Sequence, residues 1–262
     1  MQGRRKTAVP VPPRKGLARV ISRAGLCSRS EAARQVAEGR VSVNGRVVRD
    51  PEHPVATGRD RVAIDGRPLD AAARVYVAVN KPRGLVTTVR DEQGRDTVYR
   101  CLDGSGLGWL APVGRLDRAS EGLLLMSNDP VWAARITGPE SGTRKTYHVQ
   151  VDAVPGPDRL AAIAHGVVDR DERLGAVSVR LLRHGGRNAW LEVVLAEGRN
   201  RHIRRLLDAH GLAVLRLVRV SIGEVGLGSL PKGGWRHLEP AEVAGLAGRD
   251  GDHPVVAGRA AG

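Results

Sequence analysis

The chain has 262 residues, 41% of them hydrophobic, so it is long enough to bury a sizeable core in one or two domains. Its net charge of +14 favours a polyanionic partner. We expect nucleic acid and no membrane, because no amphipathic anchor is visible and no apolar run approaches the roughly 18 residues of a transmembrane helix.

Cysteine and histidine usage argues against both disulfides and metal sites. Cys27 and Cys101 lie far apart and form no CxxC motif, and the eight histidines are scattered without ligand spacing. The basic start of the chain is followed by prolines and not by an apolar signal region. We therefore expect a reducing, cytoplasmic location, no metal and no export.

The N-terminal quarter of the chain predicts a tail and a compact module. Residues 1–15 are basic and proline-rich, which is typical of a disordered tail. In residues 16–74, an apolar helical face begins at Leu17 and ends before Gly25, a suitable C-cap. Ser28 and Glu31 have the spacing of a capping box and predict a second helix that ends near Gly39.

Two turn signals follow these helices. Val41 and Val43 alternate with polar residues before the Asn44-Gly45 dipeptide, which predicts a β-hairpin, and Asp65-Gly66 predicts a second short hairpin. Arg19, Arg23, Arg29 and Arg34 fall in the helical part. These four arginines form either one basic face that binds RNA or an ordinary solvated face of the helices.

Residues 17–48 resemble the alpha-L RNA-binding module, in which two helices and a hairpin grip structured RNA through phosphate and shape contacts. The matching segments are RAGLCSR at 23–29, EA at 31–32 and GRVSVNG at 39–45. The resemblance implies RNA contacts by Arg19, Arg23 and Arg29. Because the module has few aromatic residues, we do not expect it to bind by base stacking.

After a linker near residues 69–74, residues 75–248 predict a larger domain, and the Gly/Ala-rich residues 249–262 predict a disordered tail. The elements do not alternate regularly between strand and helix, so we expect an α+β fold with a mainly antiparallel mixed sheet. The predicted elements are strands at 76–80, 85–89, 145–151, 176–182 and 189–195, a turn at 81–84, and a helix at 200–210.

The segment GRLDRASEGLLL at 114–125 places one carboxylate, Asp117, between Arg115 and Arg118 and just before an apolar run. An adjacent guanidinium favours the ionised carboxylate. Such a group suits nucleophilic or acid–base work on a polyanion. From these residues alone, a surface Arg–Asp ion pair is the commoner explanation, and the apolar run at 123–125 predicts a buried strand behind the acid.

Four separated segments of this domain resemble the RsuA/RluB group of bacterial ribosomal RNA pseudouridine synthases. They are NKPRG at 80–84, the segment at 114–125, KTY at 145–147 and EGRNRHIRR at 197–205. The resemblance covers residues 16–243, and LPKGGW at 230–235 favours the RluB side. It implies isomerisation of a uridine in ribosomal RNA, in 23S RNA of the large subunit, without a cofactor.

The same resemblance implies roles for individual residues. Asp117 is the catalytic aspartate, acting on the flipped-out uridine as nucleophile or base, and Arg204 pairs with it. Tyr147 stacks on the target base. Ile203 either contacts the uracil or only packs in the core, and Arg115 either fills the space left by the extruded base or holds a phosphate.

The remaining cations of these segments are expected to face the RNA backbone, which positions the substrate without reading its sequence. This group consists of Lys145, which is either structural or phosphate-facing, and Arg199, Arg201 and Arg205. Ser120 and His202 depart from the threonine and glutamine usual in the family, and both keep a polar group.

Two alternatives stay open. Either the enzyme is specific for 16S RNA of the small subunit instead, or the chain is a non-catalytic RNA-binding factor of ribosome assembly. Neither reading changes the expected partner, which is ribosomal RNA or an assembling subunit, and we expect a monomer. A DNA-binding function is disfavoured because no recognition-helix motif stands out.

Overall fold

The computed structural model describes residues 14–89 and 91–248, and the chain divides into two compact units, Met1–Ala73 and Arg74–Gly262. The predicted tail at 249–262 lies outside the described residues, as does most of the tail predicted at 1–15. Within the described ranges, no helix has the length and apolarity needed to cross a lipid bilayer.

The N-terminal unit contains two helices and two small sheets, with strand orders β3-β2-β5-β6 and β1-β4. Its elements in chain order are β1 (Arg14–Gly16), α1 (Leu17–Arg23), α2 (Arg29–Ala37), β2 (Val41–Val43), β3 (Arg46–Val47), β4 (Pro54–Ala56), β5 (Val62–Ile64) and β6 (Arg67–Pro68).

The caps and turns predicted for this unit are confirmed. Gly25 follows α1 with a φ of 83°, and the Ser28 hydroxyl accepts a hydrogen bond from the Glu31 backbone N–H at the start of α2. The carboxylate of Glu31 contacts Arg34 and Gln35 and so does not complete a reciprocal capping box.

Both predicted hairpins form with left-handed backbone at the two central residues, as type I′ turns require. The φ values are 51° and 80° at Asn44-Gly45, and 48° and 77° at Asp65-Gly66. The tail prediction is wrong at Arg14 and Lys15, because they belong to β1 and pair in antiparallel register with β4.

The C-terminal unit is built on a nine-stranded mixed sheet. Its main strand order is β13-β14-β10-β15-β9-β7-β17, with β8 paired to β9 and β16 paired to β15. The elements are β7 (Tyr76–Lys81), β8 (Ala111–Val113), β9 (Glu121–Ser127), α3 (Pro130–Thr137), β10 (Lys145–Val151), α4 (Pro157–His165), β11 (Val167–Asp169), β12 (Glu172–Leu174), β13 (Ser178–His184), β14 (Ala189–Leu195), α5 (His202–Ala209), β15 (Val214–Ile222), β16 (Val225–Gly226), β17 (Trp235–His237) and α6 (Pro240–Ala247).

The centre of this sheet is covered on both faces, which explains the uninterrupted apolar run in β9. Leu124 and Met126 belong to a core that includes Ile163 of α4 and Leu206 of α5. Leu123 and Leu125 point to the opposite core, which includes side chains of α3 and α6. All seven residues of β9 are buried, so the strand forms a rigid support directly after the Asp117 segment.

The predicted α+β fold is confirmed, and so are the strands at 145–151 and 189–195. The strand predicted at 176–182 begins and ends two residues later, as β13. The predicted strand at 85–89 is wrong. Among the described residues, this segment pairs with no strand and forms one isolated bridge, between Val86 and Thr97. Its hydrogen bonds go instead to Asp96 and Val98 on one side and to Leu116 of the Asp117 loop on the other.

One glycine determines how closely β9 approaches β15. The two strands pair in parallel, with Gly122 opposite Arg219. Gly122 has a φ of 102°, and a Cβ atom there would overlap the backbone of Arg219, including its nitrogen at 2.8 Å. The close approach of β9 to β15 therefore requires glycine at this position.

We expect Gly122→Ala to lower the free energy of unfolding by about 3 kcal/mol or more, because both the left-handed backbone and the clash oppose a side chain. Gly84→Ala is the matched control, since Gly84 has a φ of 101° and nothing within 4 Å of an added Cβ. Urea denaturation of both variants checks this. Equal losses would show that the backbone angle alone matters and that the strand approach does not.

Candidate active site

Asp117 lies in the loop between β8 and β9, half-buried, where it lines a cavity of about 290 Å³. Other elements contribute to the same cavity, among them β10, α5 and β15. Tyr147 comes from β10, Ile203 and Arg204 come from α5, and Arg219 comes from β15. The structure thus brings together four residues that the sequence analysis assigned to one site, and it adds Arg219.

The loop that carries Asp117 is held through its backbone carbonyl oxygens. Every carbonyl of residues 115–120 accepts a hydrogen bond, so the loop needs no regular secondary structure to be fixed. Three cationic side chains donate to four of these carbonyls: Lys81 Nζ to Asp117 (3.3 Å) and Ser120 (2.8 Å), Arg204 Nη2 to Ala119 (3.2 Å), and Arg219 Nη1 to Arg115 (3.5 Å). The other two carbonyls accept from neutral groups. Thr87 Oγ1 donates to Leu116 (2.7 Å), and the Gly84 backbone N–H donates to Arg118 (2.8 Å).

Lys81 is a positioning residue to which the sequence analysis gave no role. It is the last residue of β7, and its side chain is fully buried with a relative exposure of 0%. Burial lowers the pKa of Lys81 to about 8. A lysine at the end of a buried strand is unusual unless its ammonium has hydrogen-bond partners. Its place at the end of the predicted strand 76–80 was therefore the sequence signal from which a positioning role could have been predicted.

Arg204 has different partners from those predicted. Its guanidinium donates to the Ala119 carbonyl and, at 3.4 Å, to the Val214 carbonyl, and its buried Nε has no hydrogen-bond partner. Among the described residues, no carboxylate lies within salt-bridge distance of it. Burial is the main cause that lowers the pKa of Arg204, and Asp117 opposes this effect. Arg204 therefore holds the Asp117 loop in this structure without contacting the carboxylate directly.

Tyr147 and Ile203 belong to the apolar part of the cavity. Tyr147 is 8% exposed and lies opposite Val193 and Arg219 in the sheet. Ile203 belongs to the hydrophobic core and also lines the cavity, so its core packing is observed and its contact with the uracil stays a prediction.

Three predicted RNA-binding arginines surround the cavity with exposed side chains: Arg115, Arg199 and Arg201. Arg201 directly precedes α5 with a φ of 50°, a left-handed conformation that costs a non-glycine residue about 1 kcal/mol. Arg199 also forms ion pairs with Glu172 and Glu197. Lys145 lines the cavity too, with its side chain half-buried.

The structure gives Arg205 partners within the protein, and its phosphate contact stays a prediction. Its guanidinium is 13% exposed and binds the carboxylates of Asp169 and Glu172, the latter at 2.6 Å, together with the Asp169 carbonyl. These partners lie on β11 and β12, which form an antiparallel hairpin, so Arg205 connects that hairpin to α5. The two carboxylates already satisfy the charge that a phosphate would take.

Two further polar residues line the cavity and are buried, His202 and Ser120. His202 Nε2 contacts the Gly175 carbonyl at 2.9 Å, and burial lowers the pKa of His202, which keeps the ring neutral at pH 7. The Ser120 hydroxyl is buried without a partner.

Across residues 14–89 and 91–248, no three His, Cys, Asp or Glu side chains form a group that could hold a metal ion.

In the N-terminal unit, the predicted RNA-binding arginines lie on or beside the two helices. Arg19 is exposed on α1, and Arg23 ends that helix half-buried. Arg29 begins α2 and forms an exposed ion pair with Glu52 at 2.9 Å. Such a pair contributes little to stability, so Arg29 can exchange it for a phosphate at small cost.

Comparison with known families agrees with this arrangement. The RNA pseudouridylate synthase family matches residues 75–209, and the S4 domain matches residues 15–62, the segment that resembles the alpha-L module. The chain is similar to a solved pseudouridylate synthase structure at 29% identity and a TM-score of 0.62, covering 88% of this chain and 99% of that one.

Relatives from distant bacteria match along most of their length. An RNA pseudouridine synthase of Aquifex aeolicus is 36% identical, covering 86% of this chain and 91% of the relative. The ribosomal large subunit pseudouridine synthase B of Bacillus subtilis is 32% identical, covering 88% and 94%. The corresponding Salmonella typhimurium protein is 35% identical, covering 88% and 82%. The chain belongs to the RNA pseudouridine synthase family, isomerases that act on RNA, and it carries an S4 domain ahead of the synthase domain.

Proposed function

We propose that the protein converts one specific uridine of large-subunit ribosomal RNA into pseudouridine. The two relatives named as large-subunit synthases, from Bacillus subtilis and Salmonella typhimurium, support this substrate, and each is matched over more than four fifths of its length. The net charge of +14 fits a long polyanion. Proteins of this charge lose RNA affinity steeply with salt, so binding is best compared at one ionic strength.

The observation that carries the proposal is the convergence of Asp117, Tyr147 and Ile203, from three separate segments, on one cavity. The cavity combines one half-buried carboxylate with an aromatic and an aliphatic surface. A uracil that has left its stack can lie between the two apolar side chains, and its sugar then lies near the carboxylate.

Asp117 is the catalytic residue of this proposal. The reaction breaks the bond between C1′ and N1, and the uracil departs with the electron pair. After the base rotates, its C5 bonds to C1′, the proton on C5 is lost and N1 gains one, so the product is an isomer. Asp117 either attacks C1′ or removes the neighbouring sugar proton, and both roles require its ionised form.

Tyr147 holds the detached uracil in every rotational state, because stacking does not depend on the hydrogen bonds at the edge of the base. We expect Tyr147→Leu to lower kcat/KM about 10- to 100-fold, the loss of one base–aromatic stack. Tyr147→Phe keeps the ring and is expected to remain within about threefold of wild type. Steady-state kinetics on a target RNA fragment measure both, and similar losses in the two variants would argue against stacking.

Pseudouridine mapping of ribosomal RNA, with and without the gene, tests the function. The proposal expects one position in large-subunit RNA to lose pseudouridine in the deletion strain and to regain it with the wild-type gene. If the deletion strain instead lost a pseudouridine in small-subunit RNA, the enzyme would be specific for that RNA. If an Asp117→Asn gene fully rescued a deletion phenotype while no pseudouridine depended on the gene, the chain would be an assembly factor without catalysis.

A further inference from the structure

Arg219 lines the cavity and carries a buried hydrogen-bond donor that has no partner among the described residues. Its side chain is only 5% exposed, and it donates from Nε to the Leu123 carbonyl at 2.7 Å and from Nη1 to the Arg115 carbonyl at 3.5 Å. Its Nη2 is buried and has no hydrogen-bond partner, although Arg219 lines the cavity. A buried guanidinium nitrogen without an acceptor costs free energy unless a ligand supplies one.

Lys145 provides a second cation on the same side of the cavity. Its Nζ has one weak acceptor, the Ile136 carbonyl at 3.4 Å. Burial, followed by the charge of Arg219, lowers the pKa of Lys145, which indicates that the two cations are close enough to repel each other. In the part of the chain that the structure describes, no carboxylate lies within salt-bridge distance of either one.

Burying two cations that repel each other costs free energy, and an anion between them lowers that cost. Asp117 lines the same cavity but forms an ion pair with neither cation among the described residues. The substrate can supply such an anion, because the anionic group of RNA is its phosphate, whose oxygens form strong charge-assisted hydrogen bonds with such donors.

We propose that Arg219 and Lys145 form an anion site that binds the backbone phosphate of the flipped-out uridine. This inference rests on the proposed function, because it assigns the site to the nucleotide that the enzyme modifies. The exposed Arg115, Arg199 and Arg201 can reach any phosphate of the RNA surface. The recessed pair is accessible only to a nucleotide that has left the helix, so it selects extruded nucleotides over stacked ones.

Binding of uridine 5′-monophosphate, uridine 3′-monophosphate and uridine, measured by isothermal titration calorimetry, tests the site. Wild type is expected to bind at least one monophosphate about tenfold or more tightly than uridine, the gain from one to two charge-assisted hydrogen bonds. Lys145→Gln and Arg219→Gln are each expected to remove most of this preference. Arg183→Gln, an exposed residue of β13 outside the cavity, makes the same charge change and is expected to retain it.

Arg219 also holds the loop, so its variants need a check on folding. Thermal unfolding is followed for each variant. Lys145→Gln decides the question if Arg219→Gln does not fold, because among the described residues the Lys145 ammonium donates a hydrogen bond only to the Ile136 carbonyl. Arg219→Lys keeps the charge and is expected to retain part of the preference. Absence of a measurable preference in wild type, or an unchanged preference in Lys145→Gln, overturns the proposal.

The binding test separates this inference from the proposed function. A protein that prefers the monophosphates but forms no pseudouridine in ribosomal RNA would overturn the function and leave the anion site in place. An active enzyme without the preference would overturn the anion site alone.

Discussion

Asp117→Asn is expected to lower the rate of pseudouridine formation by about 10⁴-fold or more, with RNA affinity within about threefold of wild type. The amide has the same size as the carboxylate but is neither a nucleophile nor a base. Because the loop is held through the carbonyl oxygens of residues 115–120, its geometry does not depend on the Asp117 side chain. Removing one negative charge also does not weaken the attraction of RNA.

Single-turnover assays on the mapped ribosomal RNA fragment measure the rate, and filter binding at fixed salt measures the affinity. Asp208→Asn is the matched control, since Asp208 is exposed on α5 and does not line the cavity. It is expected to keep wild-type rate and affinity. An Asp117→Asn enzyme that retained more than about a tenth of the rate would contradict the catalytic role.

The sequence was sufficient to predict four residues that come together at the cavity. Asp117, Tyr147, Ile203 and Arg204 occur in compact motifs, and their order along the chain is enough to assign them to one site. The helix caps and both hairpins could also be predicted from the sequence, because Gly25, Ser28 and the two Asx-Gly dipeptides act through the local backbone.

The contacts that fix the site could not be predicted, because they connect residues distant in sequence. Arg205 looks like a phosphate contact until the fold brings Asp169 and Glu172 to it. Arg219 looks like one more strand residue until β9 and β15 pair and its guanidinium reaches the Arg115 carbonyl. The strand predicted at 85–89 failed for a related reason, since its hydrogen bonds go to the Asp117 loop and to a neighbouring loop.

These distant contacts share one feature. The donors to the Asp117 loop include three buried or half-buried cations, Lys81, Arg204 and Arg219, and each binds backbone carbonyls. Carbonyl ligation fixes the loop while it leaves the carboxylate unpaired among the described residues. Under the proposed function, this unpaired carboxylate is the group that reaches the sugar, and the backbone contacts hold its loop in place.

Lys81→Met is expected to lower kcat about 10- to 100-fold while RNA affinity stays near wild type, because methionine fills the buried space but donates no hydrogen bond to Asp117 or Ser120. Lys15→Met makes the same change in the N-terminal unit and is expected to leave kcat unchanged. A Lys81→Met enzyme with wild-type kcat would show that the ammonium does not position the loop.

The pH dependence of wild type separates positioning by Lys81 from a general effect on folding. The pKa of Lys81 is lowered from 10.5 to about 8 by burial, an effect that Asp117 and Glu121 partly oppose. Below pH 8 the lysine is protonated in both states, and its hydrogen bonds to the loop are complete. As pH rises from 8 to 10.5, the folded protein loses this proton while the unfolded chain keeps it, so the lysine's contribution to the free energy of unfolding rises, by up to about 3 kcal/mol.

Activity and stability should therefore change in opposite directions above pH 8. The kcat of wild type is expected to fall as the Lys81 ammonium loses its proton, whereas Lys81→Met is expected to show no such decline over the same range. Urea denaturation of wild type and Lys81→Met across pH 7 to 10 isolates the lysine's contribution to stability. If wild type lost activity and this contribution together, or if Lys81→Met showed the same alkaline decline in kcat, the ammonium of Lys81 would not be the group that holds the Asp117 loop for catalysis.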